Sequence, residues 1–335
     1  ALRASDMVAD GEPSIRRIAA EAKSVRAAER FAGWEAAVPL VSPDGRLEVR
    51  WRAVLRDGAN YVTQEVALFG KERDVAVKEV TLLAAEAPGA RAAGEVDGSP
   101  VVAGRMFFAC EHPMAANRAE SGRVVCSLGC HCPVRAKQPW SASAVIGAVP
   151  EGQLRRGFLY YLERERARPY GLFVHYNSWW DIAWPDRKMD EKTCLAVIDS
   201  FGRELTEKRG VKLDSFCFDD GWDDNRTLWR FHDGFPRGFT PLGTAAEKYG
   251  SHLGVWLSPW GGYGQAKRER MKYGATQGFE TNDRGFSLAG PKYYGRFRDA
   301  CAGMIRQFDV NYFKFDGIAA GIGSQGAGHQ YAADV

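Results

Sequence analysis

The chain has 335 residues, of which 45% are hydrophobic and 26% charged, with a formal net charge of +3. That length suits about two domains with sizeable cores. So mild a charge, with no Lys/Arg stripe interleaved with aromatics, argues against a nucleic-acid partner. No run reaches the ~20 apolar residues that span a bilayer, which argues against a membrane one.

Residues 13–32, PSIRRIAAEAKSVRAAERFA, are rich in Ala, Arg and Glu. That composition predicts a helical leader over 1–32. The period then changes to two. In LEVRWRAVL, Leu47, Val49, Trp51, Ala53 and Leu55 fall on one face, with Glu48, Arg50 and Arg52 on the other. This alternation predicts a half-buried strand. Further short strands follow, separated by Gly, Asp and Pro turns and no helix, so 33–150 reads as an antiparallel β-sandwich.

The seven cysteines are an odd number. Cys110, Cys126, Cys130 and Cys132 lie in the sandwich, with His131 inside a Cys-x3-Cys-His-Cys run. The paired spacing of a zinc knuckle is missing, so buried or disulfide-linked cysteine is the better reading, with no metal. The chain begins at Ala1 rather than Met. Removal of a secretory signal would leave that, as would a sequence that simply starts here, so the compartment stays open, with periplasmic or secreted slightly favoured over cytoplasmic.

Residues 151–169 return to a charged helical pattern and predict a linker helix. From 170 onward strands and helices alternate: GLFVHYNSWW, DEKTCLAVIDSFGRELTEKRG, DSFCFDDGW, TPLGTAAEKYG, HLGVWLSPW, PKYYGRFRDACAGMIRQF and NYFKFDGIAA. Apolar strands with polar residues at their C-terminal ends suit a (β/α)8 TIM-type barrel. Only four strand–helix units are legible where a closed barrel needs eight. The expected fold is therefore an N-terminal β-sandwich followed by the first half of a barrel over 170–335, the remainder lying in later sequence or another chain.

Three strand ends carry the chemistry. On the last strand, alternation puts Lys314 and Asp316 inside and Phe313 and Phe315 towards the helices. A lysine and a carboxylate inside a barrel are costly unless paired or used. Lys314 is expected to keep Asp316 ionised, fit to attack an anomeric carbon, although a structural ion pair would look the same. Asp219 and Asp220, side by side, suit sugar hydroxyls because ionised carboxylates only accept hydrogen bonds. With Asp223 and Asp224 they also invite a divalent cation, but no spaced calcium-type loop follows. Trp179, Trp256 and Trp260 supply stacking surfaces for the C–H faces of a sugar, or core packing. No phosphate loop and no nucleophile elbow is present, and no cofactor is expected.

Asn-Ser-Trp, Phe-x-Asp-Asp-Gly-Trp, Leu-Gly-Val-Trp and Tyr-Phe-Lys-Phe-Asp, in this order over 171–318, resemble the α-galactosidase and α-N-acetylgalactosaminidase clan of retaining glycoside hydrolases. Raffinose synthase-type enzymes share much of the pattern. The resemblance implies Asp316 as nucleophile, Lys314 on ring hydroxyls, and Asp219 and Asp220 on the galactose 4- and 6-hydroxyls. It also implies Trp179 and Trp256 lining the sugar pocket, and Trp222 and Trp260 are added to the substrate-binding candidates. The family's acid/base belongs to a later strand, and Asp334 is a poor candidate for it. Ser-Pro-Trp-Gly-Gly also replaces the family's acidic loop after the third strand. The expected activity is hydrolysis of α-linked galactose or N-acetylgalactosamine in oligosaccharides or glycans by double displacement. The alternatives are galactosyl transfer and non-catalytic glycan binding.

Overall fold

The computed structural model describes residues 2–130, 133–136, 139–183, 186 and 188–317. The chain divides into two compact units, one up to residue 171 and one from 172 onward. His131 and Cys132 of the cysteine run, and everything after Gly317 including Asp334, lie outside the described residues.

The first unit is antiparallel β structure. Its strands are β1 (Val8–Ala9), β2 (Ser14–Ile18), β3 (Gly33–Val41), β4 (Leu47–Arg56), β5 (Tyr61–Gly70), β6 (Glu79–Glu86), β7 (Arg91–Ala92), β8 (Val101–Ala103), β9 (Met106–Cys110), β10 (Ala116–Glu120), β11 (Arg123–Gly129) and β12 (Trp140–Ala148). Nine of them form one sheet in the order β1-β3-β4-β5-β12-β9-β8-β7, with β2 also on β3, and the other three form a sheet in the order β10-β11-β6. Phe108, Cys110, Val124, Cys126, Leu128 and Ala144 close a core drawn from both sheets. Cys110 and Cys126 are buried free thiols, not disulfides, and Cys130 is buried.

The leader expected to be helical is not a helix. Ser14–Ile18 pairs antiparallel with β3, Ser14 opposite Ala37 and Ile18 opposite Gly33, and among the described residues only two short turns, Ala4–Asp6 and Ala27–Arg30, are helical. The segment has no continuous apolar stripe to bury as a helix. The open edge of β3 offers ladder hydrogen bonds instead, and Arg16 reaches Glu35 at 2.7 Å. Tertiary pairing overrides a weak helical propensity. The helix expected over 151–169 is α1 (Leu154–Glu165). It belongs to this unit and lays Phe158 and Tyr161 against Phe107, with ring centroids 5.2 and 5.6 Å away.

The second unit contains β13 (His175–Asn177), α2 (Glu191–Phe201), β14 (Ser215–Phe218), α3 (Thr240–Glu247), β15 (His252–Leu257), α4 (Gly264–Gln277), β16 (Thr281–Asn282), β17 (Gly285–Phe286), α5 (Pro291–Phe308) and β18 (Val310–Phe315). β13, β14, β15 and β18 form an open parallel sheet in chain order. Alternation along the strands sorts the faces. Tyr176, Phe216, Phe218, Leu253, Val255 and Phe313 join the cluster that contains Ile198 of α2, Leu242 of α3 and Met304 of α5. Asn177 and Cys217 are in register on the other face with Gly254, and Lys314 is in register with Trp256. The polar side chains thus gather on the face away from the helices, towards the strands' C-terminal ends. Helix α4 was not legible in the sequence: its buried positions are Ala266, Arg270 and Gly274. Two small residues flanking a charge give no apolar stripe to read.

Candidate active site

Asp219 and Asp220 follow β14 and are 1% and 3% exposed. Carboxylates so buried need compensating donors. The Asp219 carboxylate accepts the Asp220 N–H at 2.8 Å through Oδ1 and Lys314 Nζ at 2.7 Å through Oδ2. Its own N–H donates to Ser178 Oγ at 2.8 Å, which ties the end of β13 to the end of β14. Lys314 therefore pairs with Asp219, correcting the expectation that it sits against Asp316. Its ammonium also stands 6.0 Å from the centre of the half-buried Trp179 ring, so the lysine, Asp219 and one tryptophan meet at one place.

Asp220 meets a residue the sequence reading missed. Arg270 of α4 donates to Asp220 Oδ1 at 3.1 Å from Nη2. The same guanidinium forks onto Asp223, Nε to Oδ2 at 2.9 Å and Nη2 to Oδ1 at 2.6 Å. Arg270 is wholly buried. Burial opposes its charge, but the Asp223 and Asp220 carboxylates outweigh that and raise its pKa. The remaining acidic residue of the run, Asp224, is held by exposed Arg226. Among the described residues no group of three His, Cys, Asp or Glu is arranged to hold a metal ion. The four aspartates are occupied by cationic side chains.

Asp316 follows β18 and is bound by neutral donors. Tyr263 OH donates to Oδ1 at 2.8 Å and Trp256 Nε1 to Oδ2 at 3.3 Å. Its N–H still bonds Leu257 O at 3.1 Å, so the residue is fixed to the end of β15. The Tyr263 phenol is pushed up to about 12, by burial first and by the Asp316 hydrogen bond second, and so remains a donor at neutral pH. Tyr263 is the second residue missed by sequence reasoning. It sits just beyond the Ser-Pro-Trp-Gly-Gly turn, and the departure of that turn from the acidic pattern was the available signal. The nearby Cys217 thiol is pushed up to about 12 by burial, then by the Asp219 charge, and is no nucleophile at neutral pH.

The tryptophans divide. Trp256, expected to line the sugar pocket, is instead buried in the core at 1% exposure, with only its Nε1 reaching Asp316. Trp260 lies against Gly317, where an added Cβ would meet its Nε1 at 1.9 Å and φ is +77°. Lys267 Nζ sits 4.4 Å from the Trp260 ring centre. Trp222, expected to touch substrate, is instead wholly buried. Its Nε1 donates to Trp256 O at 2.9 Å and its ring packs on Phe231 and Phe239. The positive-φ Gly221 before it turns the chain inward, so the side chain fills the core rather than the cleft.

No family model matches the sequence, and no curated protein matches it. Solved structures do. The α-galactosidase AgaB of Geobacillus stearothermophilus superposes with a TM-score of 0.62 at 14% identity, over 98% of this chain and 56% of that one. The chain shares its fold with GH36 α-galactosidases. AgaA of the same organism gives 0.58 at 14% identity, over 92% of this chain and 53% of that one. A doubly substituted AgaA in complex with stachyose gives 0.55 at 13% identity, over 98% and 56%. The mostly antiparallel first unit matches the β-sandwich domain of the GH36 structures. The chain spans about half the length of these structures.

Proposed function

We propose that this chain carries the nucleophile half of the active site of a retaining glycoside hydrolase acting on α-linked galactose or N-acetylgalactosamine. The observation that carries the reading is Asp316, at the C-terminal end of a parallel strand, held on both oxygens by neutral donors beside the Asp219–Lys314 pair. Neutral donors orient a carboxylate without pairing its charge with a cation, which suits attack on an anomeric carbon. Lys314 and Asp219 present a donor and an acceptor for ring hydroxyls, and Trp179 offers an apolar face. The strand order supports reading this sheet as the first half of a (β/α)8 barrel, since a doubly wound sheet would reverse its order at a switch point. The neighbours' greater length and the stachyose bound to one of them support an oligosaccharide substrate and a barrel completed elsewhere.

The reaction is double displacement. Asp316 Oδ forms a bond to the anomeric carbon as an acid protonates the departing glycosidic oxygen. Water then replaces the carboxylate, and configuration is retained. Asp219, Asp220 and Asp223 are each engaged by a cation, so none is a ready proton donor, and the acid belongs to the part of the site that completes the barrel.

The test is rescue of Asp316→Gly in the intact protein with azide and an activated α-galactoside. Formation of β-galactosyl azide is expected, because azide enters from the face the carboxylate occupied. Wild-type turnover in the Asp316→Gly variant without azide would sink the reading. Product analysis with an added acceptor sugar separates hydrolysis from transfer.

A further inference from the structure

Arg270 touches more than the two aspartates. Its Nη1 donates to Gly261 O at 3.1 Å, and its guanidinium carbon lies 4.9 Å from the Trp229 ring centre and 5.5 Å from that of Trp256. Gly261 belongs to the turn that follows β15. Two residues later that turn delivers Tyr263 to Asp316 at 2.8 Å. The turn is shaped around the guanidinium: Gly262 has φ +91°, and an added Cβ there would meet Arg270 Nη1 at 2.5 Å. Trp229, beneath the guanidinium, adopts φ +63°, a costly conformation for a bulky residue. A planar, five-donor group with no exposed surface thus joins the loop after β14 to the loop after β15.

We infer that Arg270 is a positioning residue that couples the sugar-hydroxyl side of the pocket, through Asp220, to the nucleophile, through the Gly261 turn and Tyr263. The inference rests on the glycosidase reading above and assigns it a mechanism of internal alignment. Arg270 does not touch substrate. Its fork fixes Asp223, its second Nη2 contact sets the Asp220 carboxylate, and its Nη1 sets the turn bearing Tyr263. A shift of the guanidinium displaces both partners together.

Coupling of this kind is read by double-mutant cycles on kcat/KM, with p-nitrophenyl α-galactoside and the intact protein. Arg270→Lys keeps the charge but loses the fork, and kcat/KM should fall by roughly a hundredfold, as misplacement near an ångström does. Asp220→Asn should then cost at least about tenfold less in the Arg270→Lys background than in the wild type, and Tyr263→Phe should likewise cost less there. Additive effects in both cycles would overturn the inference, as would a lowered Tm with kcat/KM per folded molecule unchanged. If Arg270→Lys does not fold, Asp223→Asn loosens the same fork and enters the same cycles. A wild-type protein that neither hydrolyses nor binds α-galactosides would remove the glycosidase reading itself. Additivity in an active enzyme removes only the role of Arg270.

Discussion

The loop after β14 and the end of β18 hold carboxylates in opposite ways. Asp219, Asp220 and Asp223 are buried and each meets Lys314 or Arg270. Asp316 meets a phenol and an indole. A cationic partner fixes a carboxylate and occupies its charge, whereas a neutral donor fixes it and leaves the charge to be used. Under the proposed function this difference would separate recognition from reaction, although all four residues are aspartates near strand ends.

The sharpest way to break the comparison is Asp316→Asn. It keeps the shape and both donors within reach, so turnover should fall on the order of 10⁴-fold or more with the melting temperature held, as steady-state kinetics and calorimetry would show. Comparable residual turnover would place the chemistry elsewhere. Next in size is Lys314→Met, which leaves Asp219 buried without its cation. Lys314 is 32% exposed, so the loss should be less than for a fully buried pair, about 2 kcal/mol by denaturant unfolding.

Tyr263→Phe should have a smaller effect, a roughly tenfold drop in kcat/KM from one lost hydrogen bond to a charged group. Its pH dependence sharpens the point. The phenol's pKa is raised from 10.0 to about 12 in the folded state. The stabilisation of the neutral phenol, from burial first and this bond second, is therefore complete below pH 10 and lost as the pH rises through about 12. The difference in Tm between wild type and Tyr263→Phe should shrink across that window, and a constant difference would remove the phenol–carboxylate bond as its cause. Smallest is Arg226→Ala. It breaks the exposed partner of Asp224 in the same acidic run, and Tm should stay within about a degree of wild type, as solvent-screened pairs contribute little.

Much of this site was legible. The period-two alternation of NYFKFD placed Lys314 and Asp316 on the face opposite Phe313 and Phe315, and Phe315 does pack on Phe297 of α5 with centroids 5.5 Å apart. Register along one strand left open which of the inward carboxylates the lysine would choose, and the choice fell on Asp219, across the sheet. Trp222 and Trp256 read alike, as tryptophans at strand ends open to substrate, but both are buried, Trp222 donating to Trp256 O and Trp256 to Asp316. Arg270 stands in the run Lys-Arg-Glu-Arg, where four charged residues look equally solvated, and only the packing of helix α4, which buries Arg270, singles one out.

What the amino-acid order determined by itself was local. Alternation made strands, Asp190 with Thr193 capped α2, and the strand ends collected the aspartates and tryptophans. What tertiary structure decided was pairing: β2 against β3 in place of a helix, Lys314 with Asp219, and Arg270 with Asp223, Asp220 and the Gly261 turn. The reason is physical. Side-chain direction follows from a few neighbouring residues, while an ion pair or a ladder bond depends on which distant group is brought within about 3 Å, and only the packed chain sets that distance.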